Sequence, residues 1–266
     1  MPAQLLKSLP IIALLFVPLI SHGHDFWIEP DRLQVSEGEQ VSITLREGQD
    51  LKGDSLPYIT EWFDDFSQSD EAGRRAIESE LGNDPAAVIV AGPSTTLLGY
   101  HSRRNFVELV PEKFATYLRD EGMENILRQR KEYGEDDQPA REYFVRCAKA
   151  FLNSGAPSDD QLVSRPLGYP LELIPEANPY SIGPLNMLSI RVFFSGQPIE
   201  GVRVRAFTRD QPENPVDART DIDGRVELNL PRSGVWLIKS VHMVRLENDP
   251  KAQWESFWAS LLFRLD

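Results

Sequence analysis

The chain has 266 residues and a formal net charge of −13, with 41 acidic side chains against 28 lysines and arginines. So acidic a protein is a poor partner for nucleic acid and for anionic membrane surfaces, and a better one for cations. Its single cysteine, Cys147, excludes an intramolecular disulfide, so a hydrophobic core must hold the fold.

Residues 1–23 have the pattern of a signal peptide. Lys7 supplies the positive start, and residues 9–20 form an apolar run of about a dozen residues, too short to span a bilayer. Ser21 and Gly23 stand at the −3 and −1 positions for cleavage. We expect a protein exported to the periplasm without a membrane anchor. Lys7 is the only charged residue of this segment, so its removal changes the net charge from −13 to −14.

Residues 24–110 are predicted to form an N-terminal β-sandwich-like domain. Apolar and polar residues alternate along residues 40–46, as in a half-buried strand. Further short apolar runs follow at residues 86–91, 95–98 and 105–110, separated by turn-forming residues.

Residues 111–154 are predicted to be a helical segment. Pro111 is typical of a first helical turn, and a second helix is expected at residues 124–133. A third helix is predicted at residues 140–152, where Phe144, Cys147, Ala148 and Phe151 stand at helical spacing. On that stripe Cys147 is expected to be an inert core residue.

Residues 155–184 are rich in proline and glycine and are predicted to be a linker. Residues 185–266 are predicted to form a C-terminal immunoglobulin-like β-sandwich, with a hairpin turn at Asp223-Gly224. This part resembles prealbumin-like modules. The predicted fold class is therefore mainly β, with two immunoglobulin-like or prealbumin-like sandwich domains and a helical insertion between them.

His24 is the first residue that cleavage after Gly23 would leave, and this position gives it a possible metal chemistry. Its free α-amine, with a pKa of about 8, and its ring Nδ1 can bind one ion together. A second histidine would complete a three-nitrogen arrangement called a histidine brace. Amine and imidazole nitrogens favour copper, nickel or cobalt, so one divalent transition-metal ion is the expected cofactor.

Three other residues are candidates for the same metal site. His242 lies in a predicted strand and is the first choice for the second histidine, while the adjacent Met243 should point to the opposite face. His101 ranks lower because two arginines follow it closely. Asp25 is expected near an axial position of the ion or hydrogen-bonded to a ligand ring.

The chain resembles a bacterial family of exported proteins of unknown function, which is assigned by similarity to NikM-like periplasmic components of nickel or cobalt uptake. The resemblance rests on five segments: HDFWIEP at 24–30, FATYLRDEG at 114–122, REY at 141–143 with Arg146 and Lys149, VHM at 241–243, and WESFWASL at 254–261. It implies a metal-binding or metal-delivery protein of two β-rich domains, and it strengthens His242 as a ligand.

Three functional hypotheses remain open from the sequence. The first is a periplasmic metal binder that holds its ion through His24 and His242 and passes it to a membrane metal transporter. The second is a copper-dependent oxidase that uses the same brace, with Phe26 and Trp27 in the surrounding surface. The third is a non-metal immunoglobulin-like adhesion or assembly module. The sequence contains no nucleophile elbow, Gly-rich phosphate loop or Cys-x-x-Cys pair, so it favours a binding protein over an enzyme.

Overall fold

The computed structural model describes residues 24–155, 161–182 and 186–265. The predicted signal peptide at residues 1–23 lies outside these ranges. Within them the chain forms three layers of β-sheet, and two α-helices lie beside one outer layer. The predicted mainly β class is confirmed.

Seventeen strands and two α-helices make up the described part of the chain. The strands are β1 Asp25–Pro30, β2 Gln40–Gln49, β3 Lys52–Leu56, β4 Phe63–Asp70, β5 Gly73–Ala76, β6 Ala87–Val90, β7 Thr95–Ser102, β8 Asn105–Leu109, β9 Ala140–Asn153, β10 Leu171–Pro175, β11 Met187–Phe194, β12 Gln197–Pro198, β13 Arg203–Thr208, β14 Gln211–Arg219, β15 Arg225–Asn229, β16 Gly234–Arg245 and β17 Trp254–Leu265. The helices are α1 Pro111–Asp120 and α2 Glu124–Glu132.

The first small sheet is built around β2. This strand pairs antiparallel with β1 along one edge and with β3 and β6 along the other. Along β2 the buried residues Val41, Ile43 and Leu45 alternate with more exposed polar ones. This alternation is the period of two that a strand with one covered face requires.

The central sheet has nine strands in the order β14-β13-β16-β17-β9-β7-β4-β5, with β8 beside the first part of β9. Most of its neighbours are antiparallel, but β17 and β9 are parallel. Strands from both ends of the chain therefore meet in the middle of this sheet.

The second small sheet is formed by β10, β11, β12 and β15, with β11 at its centre. It covers the face of the central sheet opposite to the first small sheet. On β9, Val145, Cys147 and Phe151 pack into the core shared with the second small sheet, whereas Ala148 and Leu152 pack into the core shared with the first. The three sheets thus enclose two apolar cores.

The two helices cover one end of the central sheet, on the same side as the first small sheet. Phe114, Tyr117 and Leu118 of α1 are buried with Val241 and Trp254 of the sheet. Both helices were predicted at these positions, and α1 is followed by a glycine with positive φ at Gly122. Neither helix of the described ranges is long and apolar enough to cross a membrane.

The predicted third helix at residues 140–152 is wrong, because this segment is the strand β9. Residues 145–152 are all buried, since β9 lies between β17 and β7 with a core on each face. A strand that is apolar on both faces places apolar residues at helical spacings by chance, so periodicity alone does not separate the two structures. Cys147 is buried as expected, and burial raises its pKa to about 12.

The predicted linker does not separate two independent sheets. β10 lies inside residues 155–184, and residues 156–160 and 183–185 lie outside the described ranges. The predicted N-terminal domain contributes β4, β5, β7 and β8 to the central sheet, and the predicted C-terminal domain contributes β13, β14, β16 and β17. The two segments therefore share a single central layer.

Candidate metal centre

His24 lies at the exposed start of the first small sheet, immediately before β1. Because Asp25 of β1 pairs with Gly48 of β2, the His24 ring is placed beside the neighbouring Glu47. Its Nδ1 lies 4.0 Å from Oε1 of Glu47, and 46% of the His24 side chain is exposed. An ion in solution can therefore reach both groups.

Arg146 of β9 holds His24 and Glu47 in place from the central sheet. Its Nη1 donates to the backbone oxygen of His24 at 2.5 Å, and its Nη2 donates to Oε1 of Glu47 at 3.0 Å. The guanidinium lies over the rings of Trp258 and Phe144, at 4.9 and 5.0 Å from their centroids. This nearly buried arginine fixes the position of the carboxylate and balances its charge.

Asp25 is next to His24 in the chain but is occupied by another partner. Its Oδ1 lies 2.6 Å from Nζ of Lys239, which also lies 2.9 Å from Oε1 of Glu121. Burial alone would lower the pKa of Lys239, but the two carboxylates outweigh it and raise that pKa. The predicted axial ligand thus forms a buried ion-pair cluster.

His242 lies on the other face of the central sheet. On β16, Lys239 contacts Asp25 beside the first small sheet, whereas His242 points in the opposite direction and packs edge-on against Phe194 of β11, with 4.6 Å between ring centroids. Burial lowers the pKa of His242 to about 4, so the ring is neutral at pH 7.

His101 also lies away from His24. Its ring stacks on Tyr169 at 5.3 Å, on the side of the second small sheet, and burial is the main reason that its pKa is lowered. Between β7 and β16 lie β9 and β17, so His101 and His242 are three strand positions apart. At about 4.8 Å per position this separates them by about 14 Å, which excludes a shared ion.

The structure therefore does not bring together the residues that the sequence analysis grouped. A strand sends neighbouring side chains to opposite faces, and which face of β16 meets β1 is decided by tertiary packing. Within the described residues, no three His, Cys, Asp or Glu side chains form a group that could hold a metal ion. The donors near His24 are its own nitrogens and Glu47.

Glu47 and Arg146 were missed by the sequence analysis, although each leaves a signal. Glu47 continues the inward-facing series of Val41, Ile43 and Leu45, where another apolar residue is expected. Arg146 interrupts an apolar strand in the same way. A charged residue at an inward-facing strand position indicates a buried partner, which is a useful pointer to a site.

Comparison with known proteins identifies a family but no activity. A family model described as a domain of unknown function, DUF4198, matches residues 21–244. A solved structure, the "D0-D1 domain of Intimin", is similar over 90% of this chain and 97% of its own length, at 9% identity and a TM-score of 0.20, a value too low to support a conclusion. No curated protein matches. The predicted family of unknown function is confirmed.

Proposed function

This chain belongs to the DUF4198 family, and from the geometry around His24 we propose that it binds one divalent transition-metal ion as cargo. The ion is held by the α-amine and Nδ1 of His24, once residues 1–23 have been removed, and by the carboxylate of Glu47. His242 and His101 take no part, because they lie on the other face of the central sheet.

One distance supports this proposal most directly. Two donors that each lie about 2 Å from the same ion are about 3 to 4 Å apart. The 4.0 Å between His24 Nδ1 and Glu47 Oε1 is at the upper end of that range. A small rotation of either side chain brings both into the first coordination sphere.

The donor set also indicates which ions fit. The amine and Nδ1 belong to the same residue and close a chelate ring on the ion. Two nitrogens and one carboxylate oxygen suit copper, nickel or cobalt better than magnesium or calcium, which prefer oxygen ligands alone. Among these three ions the order of affinity is expected to be copper, then nickel, then cobalt.

Arg146 limits how tightly the ion is held. Its positive charge lies beside the site and already shares Oε1 of Glu47. Binding therefore places a cation beside a guanidinium, at a cost in affinity. We interpret this reduced affinity as suited to a protein that releases its ion. We propose that the protein delivers the ion, in the periplasm, to a membrane metal transporter. The acidic surface attracts the cation.

The test compares two amino termini. The chain beginning at His24 and a version with one alanine before it are titrated with copper(II) and nickel(II) by calorimetry. We expect the extension to weaken binding on the order of 100-fold or more, because loss of an outer partner alone costs about 10- to 100-fold. Equal affinities of the two proteins would eliminate the proposed site.

Single substitutions then separate the proposed ligands from the other candidates. Glu47→Gln removes the carboxylate and is expected to weaken both ions, whereas His242→Ala is the control and should leave the affinities unchanged. Weaker binding by His242→Ala with normal binding by Glu47→Gln would instead support the predicted histidine pair.

A further inference from the structure

A cavity lies at the opposite end of β1 from His24. It has a volume of about 420 Å³ and opens between the first small sheet and the end of the central sheet. Pockets of roughly 300 to 1,000 Å³ are the usual size for small-molecule sites. The charged residues that line it are Glu29, Asp31, Arg32, Arg46, Arg209 and Arg264.

Two of these arginines converge on one carboxylate. Nη2 of Arg209 donates to Oε1 of Glu29 at 2.5 Å, and Nε of Arg46 lies 2.7 Å from Oε2 of the same residue. The indole Nε1 of Trp27 donates to Oε2 as well, at 3.1 Å. Glu29 is thus held firmly, but its single negative charge balances only one of the two guanidinium groups.

One of these two arginines leaves a hydrogen-bond donor unused. Nε of Arg209 is buried and has no hydrogen-bond acceptor among the described residues. Nε of Arg46 is buried as well, and its contact is the ion pair with Oε2 of Glu29, an oxygen that also accepts from Trp27. A buried N–H without an acceptor is costly, so Nε of Arg209 in this wall points to an acceptor that binds there. That acceptor has to be negatively charged to match the guanidinium groups.

The local charge is opposite to that of the whole protein. Four arginines and two acidic residues line the cavity, which gives the lining a net charge of +2 in a chain whose net charge is −13. Arg32 is paired at the rim with Glu39 at 2.8 Å, and Arg46 and Arg209 are the two arginines of the lining that contact Glu29. Concave positive sites of this kind concentrate anions.

We propose that this cavity binds a small molecule through a phosphate-class oxyanion. A tetrahedral oxyanion presents acceptors in several directions and can be shared by guanidinium groups that arrive from different strands, as Arg46 and Arg209 do. A carboxylate is planar and pairs best with one such group. The cavity is larger than a bare phosphate, so the rest of it accommodates an organic body. The site is separate from the proposed metal centre and does not depend on it.

The experiment uses the metal-free chain beginning at His24, with inorganic phosphate and glycerol phosphate as probes. Each is titrated by calorimetry at constant ionic strength set with sodium chloride. Saturable binding is expected, and tighter binding of glycerol phosphate than of inorganic phosphate would assign the remaining volume to the organic body. Failure of both probes to bind at concentrations up to about 10 mM would overturn the proposal.

Three variants locate the binding. Arg209→Gln is expected to weaken phosphate binding about tenfold, because it removes charge-assisted hydrogen bonds. Arg225→Gln is the matched control, since Arg225 forms an ion pair with Glu176 at 2.6 Å away from the cavity. Glu29→Gln should tighten binding several-fold by removing the competing carboxylate, which a purely structural role of this cluster does not predict.

Two results would contradict the assignment of the cavity. One is an equal change of affinity in Arg209→Gln and Arg225→Gln, and the other is unchanged or weaker binding by folded Glu29→Gln. If circular dichroism shows that Arg209→Gln does not fold, Arg209→Lys replaces it. Lysine keeps the charge beside Glu29 but lacks the planar fork, so weaker phosphate binding is again expected.

Discussion

Glu142 of β9 is a buried acid beside the candidate metal centre. It accepts hydrogen bonds from the hydroxyl of Ser256 and from that of Tyr117, the latter at 3.2 Å. Tyr117 in turn stacks on Trp258, the ring that lies under Arg146, with 5.3 Å between centroids. Burial raises the pKa of Glu142 to about 7, from 4.5 for an exposed glutamate.

The raised pKa of Glu142 predicts how stability depends on pH. The folded chain binds this proton more tightly than the unfolded chain, so the free energy of unfolding falls as pH rises from about 4.5 to 7 and levels off above that. The difference between the two pKa values corresponds to about 3 kcal/mol. Glu142→Gln keeps an acceptor but does not ionise, so it should lose this slope and be more stable than the wild type at pH 8.

Urea midpoints measured between pH 5 and pH 8 check this prediction. Glu108→Gln is the control, because Glu108 is an exposed residue of the neighbouring β8, and the slope should persist in that variant. A slope that also persists in Glu142→Gln would assign the pH dependence to another group.

At the same scale, the sequence singles out His24 as a candidate ligand but not the residues that lie beside it. The position of His24 after a signal-like segment is a local property and can be read from the chain. The faces on which His242 and Glu47 point depend on which layer covers each strand, and no local pattern specifies that. The proposed ligand set therefore depends on the packed structure.

At the scale of elements, β7 and the loop at residues 161–170 pack at Gly99. A Cβ added to Gly99 would collide with the hydroxyl of Tyr169 and with Cδ1 of Leu167. Tyr169 uses that hydroxyl to donate to Asp65 of β4, and Asp65 also pairs with Arg74 at 2.7 Å. The missing side chain at Gly99 thus lets the loop approach the sheet closely enough for this polar cluster to form.

Gly99→Ala should therefore destabilise the fold. Forcing extra volume into a packed site costs about 1 to 3 kcal/mol, and urea unfolding at pH 7 measures the change. Adding Tyr169→Phe removes one of the two colliding atoms, so the double variant should lose less stability than the sum of the two single changes. Strict additivity would show that the two residues do not interact.

The elements themselves were predictable where one face of a strand is exposed. Alternation revealed β2. The predicted turn at Asp223-Gly224 is present, with Gly224 at positive φ, but the predicted hairpin is wrong, because the flanking strands β14 and β15 lie in different sheets. Alternation does not identify β9, because both of its faces are buried. Nor does a local pattern identify β14, an edge strand that contains Pro212 and Pro215, because proline is tolerated in an edge strand but is also typical of loops.

At the scale of the whole molecule, the parallel pairing of β9 with β17 joins the two halves of the chain. Trp254 pairs with Glu142 at one end of this contact and Leu262 with Ala150 at the other. Both cores are shared as well. Phe207 and Leu262 of the C-terminal half pack with the first small sheet, and Leu97 of the N-terminal half packs with the second.

This arrangement predicts one cooperative unfolding transition for residues 24–266. Calorimetry should give equal calorimetric and van't Hoff enthalpies. Residues 24–184 alone leave β9 without β17, and residues 185–266 alone leave β17 without β9, so each fragment exposes buried apolar faces and a long sheet edge. We expect neither fragment to show a cooperative transition, and co-expression of the two to restore it. If either fragment unfolded cooperatively by itself, the predicted boundary near residues 155–184 would mark a true division between domains. The central sheet would then be an interface between two domains instead of the common core of the fold.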